Sequence, residues 1–91
     1  MKYRVYQTTR CKKSLKKMVK RGKSRAKFLT VVRMLANGEA LPPQYKDHPL
    51  HGDYEGHRDC HIEPDWILIY YKNENSLVLS LTRTGTHSDV F

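Results

Sequence analysis

Acidic residues are missing from the first 38 positions of this chain. Residues 1–38 hold thirteen Lys and Arg and no Asp or Glu, which gives +13. Residues 39–91 hold four basic and nine acidic residues, which gives −5 and a total of +8. A face that only keeps a protein soluble normally mixes both signs, although lysines that merely solvate helices remain the alternative. The segment predicts an electrostatic platform for a polyanion.

Long apolar runs are also absent, and cysteine is scarce. No run approaches the length of a membrane span, and the opening "MKYRVYQTTR" lacks the apolar centre of a signal peptide. Cys11 and Cys60 form neither a CxxC pair nor a disulfide framework. We therefore expect a reduced, cytoplasmic setting without membrane insertion. The 91 residues, 38% hydrophobic and 29% charged, predict one globular domain spanning 1–91.

Hydrophobic periodicity predicts an α+β fold. Prolines at 42 and 43 exclude a helix or a central strand at that point, between the helical first part of the chain and the strands that follow. The short connections in the second half favour an antiparallel meander. The predicted order is β-α-α-β-β-β, with a two-helix hairpin packed on a small, mainly antiparallel sheet. Its elements are a strand in 1–6, a helix between Thr8 or Thr9 and Gly22, a helix between Ser24 and the "NG" at 37–38, and strands at 54–62, 66–71 and 77–84.

A row of titratable side chains precedes the apolar segment "WILIYY". Strand alternation places Glu55, His57, Asp59 and His61 on one face of the strand at 54–62, and Tyr54, Cys60 and Ile62 on the other. An Asp two residues from a His lies roughly 6–7 Å away along the strand, close enough for electrostatic coupling. Histidine titrates near neutral pH. The polar face therefore predicts acid–base chemistry.

A metal site is one alternative for this segment, because His57, Asp59, Cys60 and His61 are possible ligands. His57 and His61 would share a strand face that Cys60 does not, and the spacing matches no zinc pattern. We therefore expect no metal and no other cofactor.

Two longer segments carry a family resemblance. "YKDHPLHGDYEGHRDCHIEPDWILIYY" and "LTRTGTHSDVF" resemble the YafQ-type toxins of the RelE/ParE superfamily, the ribosome-dependent mRNA endoribonucleases of bacterial toxin–antitoxin pairs. Residues 1–38 agree only in being a strand and two basic helices. A combination as long as "RDxHxEPDWILIY" with "RTGTHxxxF" is far more restrictive than one short motif. The resemblance implies a RelE-like fold that enters the ribosomal A site and cuts the codon there.

The resemblance also implies an active centre. Its members are His48, Asp59, His61, Asp65, His87 and Phe91, with Arg83 suited to holding the scissile phosphate. His51 and His57 match no functional position and are expected at the rim. Each of the matched residues also has an ordinary alternative: Arg83 could pair with Asp59 or Glu63, and Phe91 could plug the core.

The chemistry of RNA cleavage explains these residue types. A base takes the proton of the 2′-hydroxyl, a positive group balances the phosphorane, and an acid protonates the leaving 5′ oxygen; histidine suits all three tasks. Carboxylates at 59 and 65 would orient imidazoles, Arg83 would offer a donor fork, and Phe91 would stack on a base. The expected product is a 2′,3′-cyclic phosphate or the 3′-phosphate formed from it. The sequence leaves open which histidine is the base and which is the acid.

The partners expected are a ribosome with bound mRNA and an acidic, RelB/DinJ-like antitoxin that folds onto the basic surface. The free protein is expected to be a monomer. A non-catalytic nucleic-acid-binding module, or a ParE-like topoisomerase inhibitor, is the alternative and predicts no role for the histidines. The residues predicted to contact the ribosome or RNA are Lys12, Lys13, Lys16, Lys17, Lys20, Lys23, Arg25 and Lys27.

Overall fold

A computed structural model describes all residues 1–91 and contains one five-stranded sheet. The strands are β1 (Arg4–Gln7), β2 (His48–Pro49), β3 (Arg58–Glu63), β4 (Trp66–Asn73) and β5 (Val78–Gly85), and the helices are α1 (Thr9–Lys20), α2 (Arg25–Ala36) and α3 (His87–Val90). The strand order is β1-β5-β4-β3-β2. Only β1 and β5 are parallel neighbours. The predicted α+β class, with a helix hairpin on a mainly antiparallel sheet, is confirmed.

Side-chain caps begin both long helices. The Thr8 hydroxyl accepts the Cys11 N–H at 3.0 Å at the start of α1, and the Ser24 hydroxyl accepts the Lys27 N–H at 3.4 Å at the start of α2. Each cap satisfies an N–H that has no partner inside its helix. None of the helices is long and apolar enough to cross a membrane.

Strand β4 is apolar on both of its faces. Trp66, Leu68 and Tyr70 belong to the main core, which lies between the sheet and the two long helices. Ile67 and Ile69 belong to a second, small cluster with Val90 of α3. We call the first side of the sheet the helix face and the second the α3 face. Burial on both faces explains why "WILIYY" is a continuous apolar run instead of an alternating one.

The strand predicted at 54–62 begins later than expected. Residues Gly52–Tyr54 form a 3₁₀ turn, and Gly56 has φ of 84°, so the chain reaches extended geometry only at Arg58. Tyr54 and Glu55 therefore lie outside the strand, contrary to the prediction. The shared face survives for Asp59 and His61. The two-residue strand β2 was not predicted either, because a segment that short has no periodicity to detect.

Candidate active site

An irregularity in the pairing of β4 with β5 decides where Arg83 lies. Ile69 is opposite Arg83 and Tyr70 is opposite Leu81, so Thr82 is an extra residue in β5. Leu81 is buried in the main core, and unbroken alternation would place Arg83 on that same helix face. The bulge moves Arg83 to the α3 face instead.

A second irregularity separates His61 from Glu63. His61 is opposite Ile67 and therefore lies on the α3 face, whereas Glu63 is opposite Trp66 and lies on the helix face. There the Glu63 carboxylate accepts hydrogen bonds from Lys23 at 2.7 Å and Lys27 at 3.0 Å. These two hydrogen bonds hold the pKa of Glu63 below its ordinary value. Two of the eight cations predicted to bind RNA are therefore already paired within the protein.

Three imidazoles lie side by side on the α3 face. The ring centroid of His61 is 6.4 Å from that of His48 and 5.3 Å from that of His87. Strand β2 supplies the first ring, β3 the middle one and α3 the last. Segments that are far apart in sequence thus build one row, with His61 at its centre.

The hydrogen bonds of the three rings fix which nitrogen carries a hydrogen. Each Nδ1 faces an oxygen that can only accept a hydrogen bond, so each Nδ1 must be the donor. The remaining nitrogen, Nε2, has no protein partner and is free for a substrate. The pairs are His48 Nδ1 to the Lys46 carbonyl (2.7 Å), His61 Nδ1 to the Pro64 carbonyl (3.1 Å) and His87 Nδ1 to the Asp65 carboxylate (2.7 Å).

Asp65 holds His87 by two contacts to one oxygen. The carboxylate accepts the ring Nδ1–H and also the backbone N–H of His87, the latter at 3.1 Å. These hydrogen bonds from His87 lower the pKa of the Asp65 carboxyl. Thr86 and Asp89 form a capping box around the first turn of α3. The ring of His87 is therefore fixed both by its own partner and by the helix that carries it.

Asp59 is a nearly buried carboxylate at the side of this row. It is 2% exposed, and its Oδ1 has no hydrogen-bond partner although it lies 3.2 Å from His48 Nδ1. The His48 donor is directed to the Lys46 carbonyl instead. Burial raises the pKa of Asp59, and attraction to His48, His61 and His87 opposes that rise in part.

Arg83 and Phe91 lie at the His87 end of the row. Arg83 donates to the Tyr54 hydroxyl at 3.2 Å and to the Asp89 carbonyl at 2.6 Å, and it pairs with neither Asp59 nor Glu63. The Phe91 ring lies edge-on to Tyr54 and 6.3 Å from His87, with 61% of the residue exposed. Phe91 is therefore no plug for the core. A hollow of about 430 Å³ opens beside these side chains.

The structure thus brings the sequence-predicted residues His48, Asp59, His61, Asp65 and His87 into one cluster, with Arg83 and Phe91 at its end. Sequence reasoning missed Tyr54, the partner of Arg83, because it counted this residue as a core-facing strand position. It also missed Asp47, which hydrogen-bonds to Arg58 and Tyr70; no local motif marks that contact.

The residues of the metal alternative do not converge. Cys60 is fully buried in the main core on the helix face, and burial raises the pKa of its thiol far above the ordinary value. His57 lies against the rings of Tyr54 and Tyr71, with centroid distances of 6.0 and 5.6 Å. No group of three or more His, Cys, Asp or Glu side chains has an arrangement suited to a metal ion.

The basic surface is formed mainly by α1. This helix buries Cys11, Leu15 and Met18, so its lysines project from the opposite side. At its end Arg21 pairs with Asp89 of α3 at 2.9 Å, which joins the basic surface to the helix that carries His87. The exposed predicted cations are Lys12, Lys13, Lys16, Lys17, Lys20, Arg25 and Lys27, whereas Lys23 is half-buried.

Comparisons with known proteins agree on one family. Residues 3–91 match the family model described as the bacterial toxin of a type II toxin–antitoxin system, YafQ. The mRNA interferase toxin YafQ of Escherichia coli K12 is 45% identical over 80 residues, covering 87% of this chain and 85% of that protein. The toxin in an E. coli DinJ–YafQ complex superimposes with a TM-score of 0.89 at 39% identity and 98% coverage of both chains. A metal-bound toxin from Helicobacter pylori gives 0.92 at 37% identity and full coverage of both chains. The chain therefore belongs to the YafQ family of bacterial type II toxins.

Proposed function

We propose that this protein is the toxin of a type II toxin–antitoxin system and acts as a ribosome-dependent mRNA endoribonuclease. The observation that carries the proposal is the row of three imidazoles whose Nε2 atoms are all free. A phosphodiester beside this row would lie next to three ring nitrogens that have no protein partner. A binding module, the alternative function, gives no reason for three histidines with matched Nδ1 partners.

The two outer histidines suit the two proton transfers. In-line cleavage requires a base near the attacking 2′-hydroxyl and an acid near the leaving 5′ oxygen, on opposite sides of the phosphorus, and His48 and His87 flank the row. His61, between them, suits the charge of the phosphorane. The Nδ1–H of His87 donates to a carboxylate, whereas that of His48 donates to a neutral carbonyl, so only His87 has a negative charge bound to its ring. We therefore assign His87 as the acid that protonates the 5′ oxygen, and His48 as the base.

Arg83 and Phe91 are proposed to hold the RNA beside the row. Arg83 is kept in place by Tyr54 and the Asp89 carbonyl, and donors remain on its guanidinium for phosphate oxygens. The exposed ring of Phe91 suits stacking on a base next to the scissile bond. Side-chain groups can supply every proton transfer, so the proposed reaction needs no metal ion.

The proposed partners follow from charge and family. The lysines of α1 suit ribosomal RNA, and the sum of +13 over residues 1–38 also suits an acidic antitoxin. The E. coli relative forms a complex with DinJ, and we propose a comparable antitoxin for this chain. Since the substrate is mRNA on the ribosome, the proposed location is the bacterial cytoplasm.

The test uses programmed ribosomes and maps the ends of the mRNA. We expect cleavage within the A-site codon by the unaltered protein, and a loss of at least about 100-fold in kcat for His61→Ala and for His87→Ala. His57→Phe is the matched control, because it removes an imidazole but keeps ring contacts with Tyr54 and Tyr71. The proposal is wrong if His61→Ala and His87→Ala cleave as fast as this control.

A further inference from the structure

Asp47 and His48 are consecutive residues whose side chains go to opposite faces of the sheet. Asp47 reaches Tyr70 on the helix face, whereas His48 lies beside Asp59 and His61 on the α3 face. We infer that Asp47, held by Arg58 and Tyr70, is a positioning residue that sets the place and orientation of the His48 imidazole. This inference rests on the proposed RNA cleavage, in which His48 takes part.

The two residues that bind the Asp47 carboxylate both belong to the sheet. The Tyr70 hydroxyl donates a hydrogen bond to Asp47 Oδ1, and Tyr70 is 1% exposed within the main core. Arg58 of β3 donates two hydrogen bonds to the same carboxylate, from Nε to Oδ1 and from Nη2 to Oδ2, both at 3.3 Å. Burial and then the Asp47 carboxylate raise the pKa of the Tyr70 hydroxyl, which keeps it a donor. Asp47 is thus tied to two neighbouring central strands.

The segment that carries His48 pairs only weakly with the sheet, although Tyr45 and Leu50 on either side of it pack against the two apolar clusters. Strand β2 has two residues, pairs only with β3, and includes Pro49, which has no N–H to donate. Lys46, just before Asp47, has φ of 48°, a left-handed conformation that non-glycine residues keep only where surrounding contacts enforce it. The Lys46 N–H closes the preceding turn on the Pro43 carbonyl at 3.0 Å, and the side-chain contacts of Asp47 hold the chain on the other side of Lys46.

The same anchor orients the imidazole through one peptide unit. The carbonyl of Lys46 accepts the His48 Nδ1–H at 2.7 Å, and this carbonyl belongs to the peptide bond that Lys46 forms with Asp47. The hydrogen bonds of Asp47 with Arg58 and Tyr70 therefore orient the Lys46 carbonyl oxygen, which accepts the hydrogen bond from the His48 ring. Without the hydrogen bonds of Asp47, the His48 ring loses its position. It also loses the Lys46 carbonyl as the acceptor for Nδ1–H, and with it the hydrogen bond that leaves Nε2 free for the substrate.

The experiment is a double-mutant cycle on programmed ribosomes. Asp47→Ala is expected to lower kcat by about 10- to 100-fold, because a catalytic group that is misplaced by about 1 Å costs that much, with KM changed by less than about twofold. In a His48→Ala background the same substitution is expected to have no further effect on kcat. Tyr70→Phe is expected to act in the same direction but more weakly, since Arg58 still holds Asp47.

Two additional measurements separate positioning from general destabilisation. Asp47→Asn keeps the size of the side chain but weakens the contact with Arg58, and its NMR spectrum is expected to show changed ring signals for His48 and unchanged ones for His87. Glu39→Gln, which removes an exposed carboxylate that contacts only Asn37, is the matched control and is expected to change neither kcat nor the ring signals.

The outcomes distinguish this inference from the proposed function. Equal losses from Asp47→Ala with and without His48 would overturn the positioning role while leaving the nuclease intact, as would unchanged ring signals of His48 in Asp47→Asn. Full activity of His48→Ala alone would overturn both the positioning role and the assignment of His48 as the base. Loss of activity in His48→Ala without any loss in Asp47→Ala would contradict the positioning role only.

Discussion

The carboxylate of Asp59 shows, at the scale of one residue, how a site can cost stability. Its buried Oδ1 lacks a hydrogen-bond partner, and leaving such a group unsatisfied costs about 1–3 kcal/mol. A pKa raised in the folded state means that folding favours the protonated carboxyl. Stability is therefore lost as pH rises from the ordinary Asp value of 3.8 through the raised folded value.

Asp59→Asn is expected to stabilise the protein at neutral pH and to impair cleavage. The free energy of unfolding should increase by about 1 kcal/mol, which corresponds to roughly 5 °C in Tm for a domain of this size. This gain should disappear below the ordinary pKa of Asp, where the native carboxyl is also protonated. Thermal melts across pH measure the gain, and Asp53→Asn at an exposed position is the control. A variant that is less stable than the native protein at pH 7 would contradict this reading of Asp59.

Asp65 differs from Asp59 because its carboxylate is exposed and one of its oxygens accepts two hydrogen bonds from His87. Asp65→Asn is expected to lower kcat by at least tenfold with little change in KM, because His87 keeps its place but loses the negative charge hydrogen-bonded to its ring. In the native protein the pKa of the Asp65 carboxyl is lowered by folding. Its contact with His87 therefore stabilises the protein at pH values above the ordinary pKa of Asp, and this stabilisation is lost as pH falls through the lowered pKa. Rates and melts from pH 3 to 8 test both statements.

At the scale of elements, α3 carries His87 and leads to Phe91, and Gly85 determines how closely this helix approaches β5. A Cβ at position 85 would lie 2.8 Å from the Cβ of Asp89. Gly85→Ala must therefore displace α3, and overpacking of this kind typically costs about 1–3 kcal/mol. We expect a kcat loss of about 10- to 100-fold, since His87 and Phe91 move together.

Gly22→Ala is the control for Gly85→Ala, because its new Cβ would have no neighbour within 4 Å, and its strain would come only from the positive φ. It is expected to lose stability without losing cleavage by the folded protein. If Gly85→Ala keeps full activity, the close approach of α3 to β5 has no functional role.

Element type was predictable from the sequence where periodicity is strong. Both helices follow from apolar spacing, and hydroxyl positions predicted Ser24 as one cap and either Thr8 or Thr9 as the other, of which the structure has Thr8. The two bulges did not follow, because an extra residue such as Thr82 looks like any other strand position until its partner strand is known. The candidate site residues were predicted through family motifs, whereas Asp47 and the orientation of Arg83 depend on the sheet register.

At the scale of the whole molecule, the charges of the helix layer are of two kinds. Lys23 and Lys27 share the Glu63 carboxylate, whereas no ion pair engages Lys12, Lys13 or Lys16 of α1. An unpaired lysine can neutralise a phosphate and release a counterion at once. A paired lysine must first give up its carboxylate. The formal charge of +13 on residues 1–38 therefore overstates what this surface offers to RNA.

This difference predicts how ribosome binding depends on salt. Replacing Lys12, Lys13 and Lys16 by Gln should reduce the slope of log K against log salt by about 2, given roughly 0.7 for each phosphate on a single strand and 0.9 on a duplex. Replacing Lys23 and Lys27 by Gln should reduce it by less than about 1, because Glu63 already engages both. Binding to ribosomes from 50 to 300 mM KCl measures both slopes. Equal reductions per lysine in the two variants would show that the Glu63 pairs open on the ribosome and that all of these cations bind RNA alike.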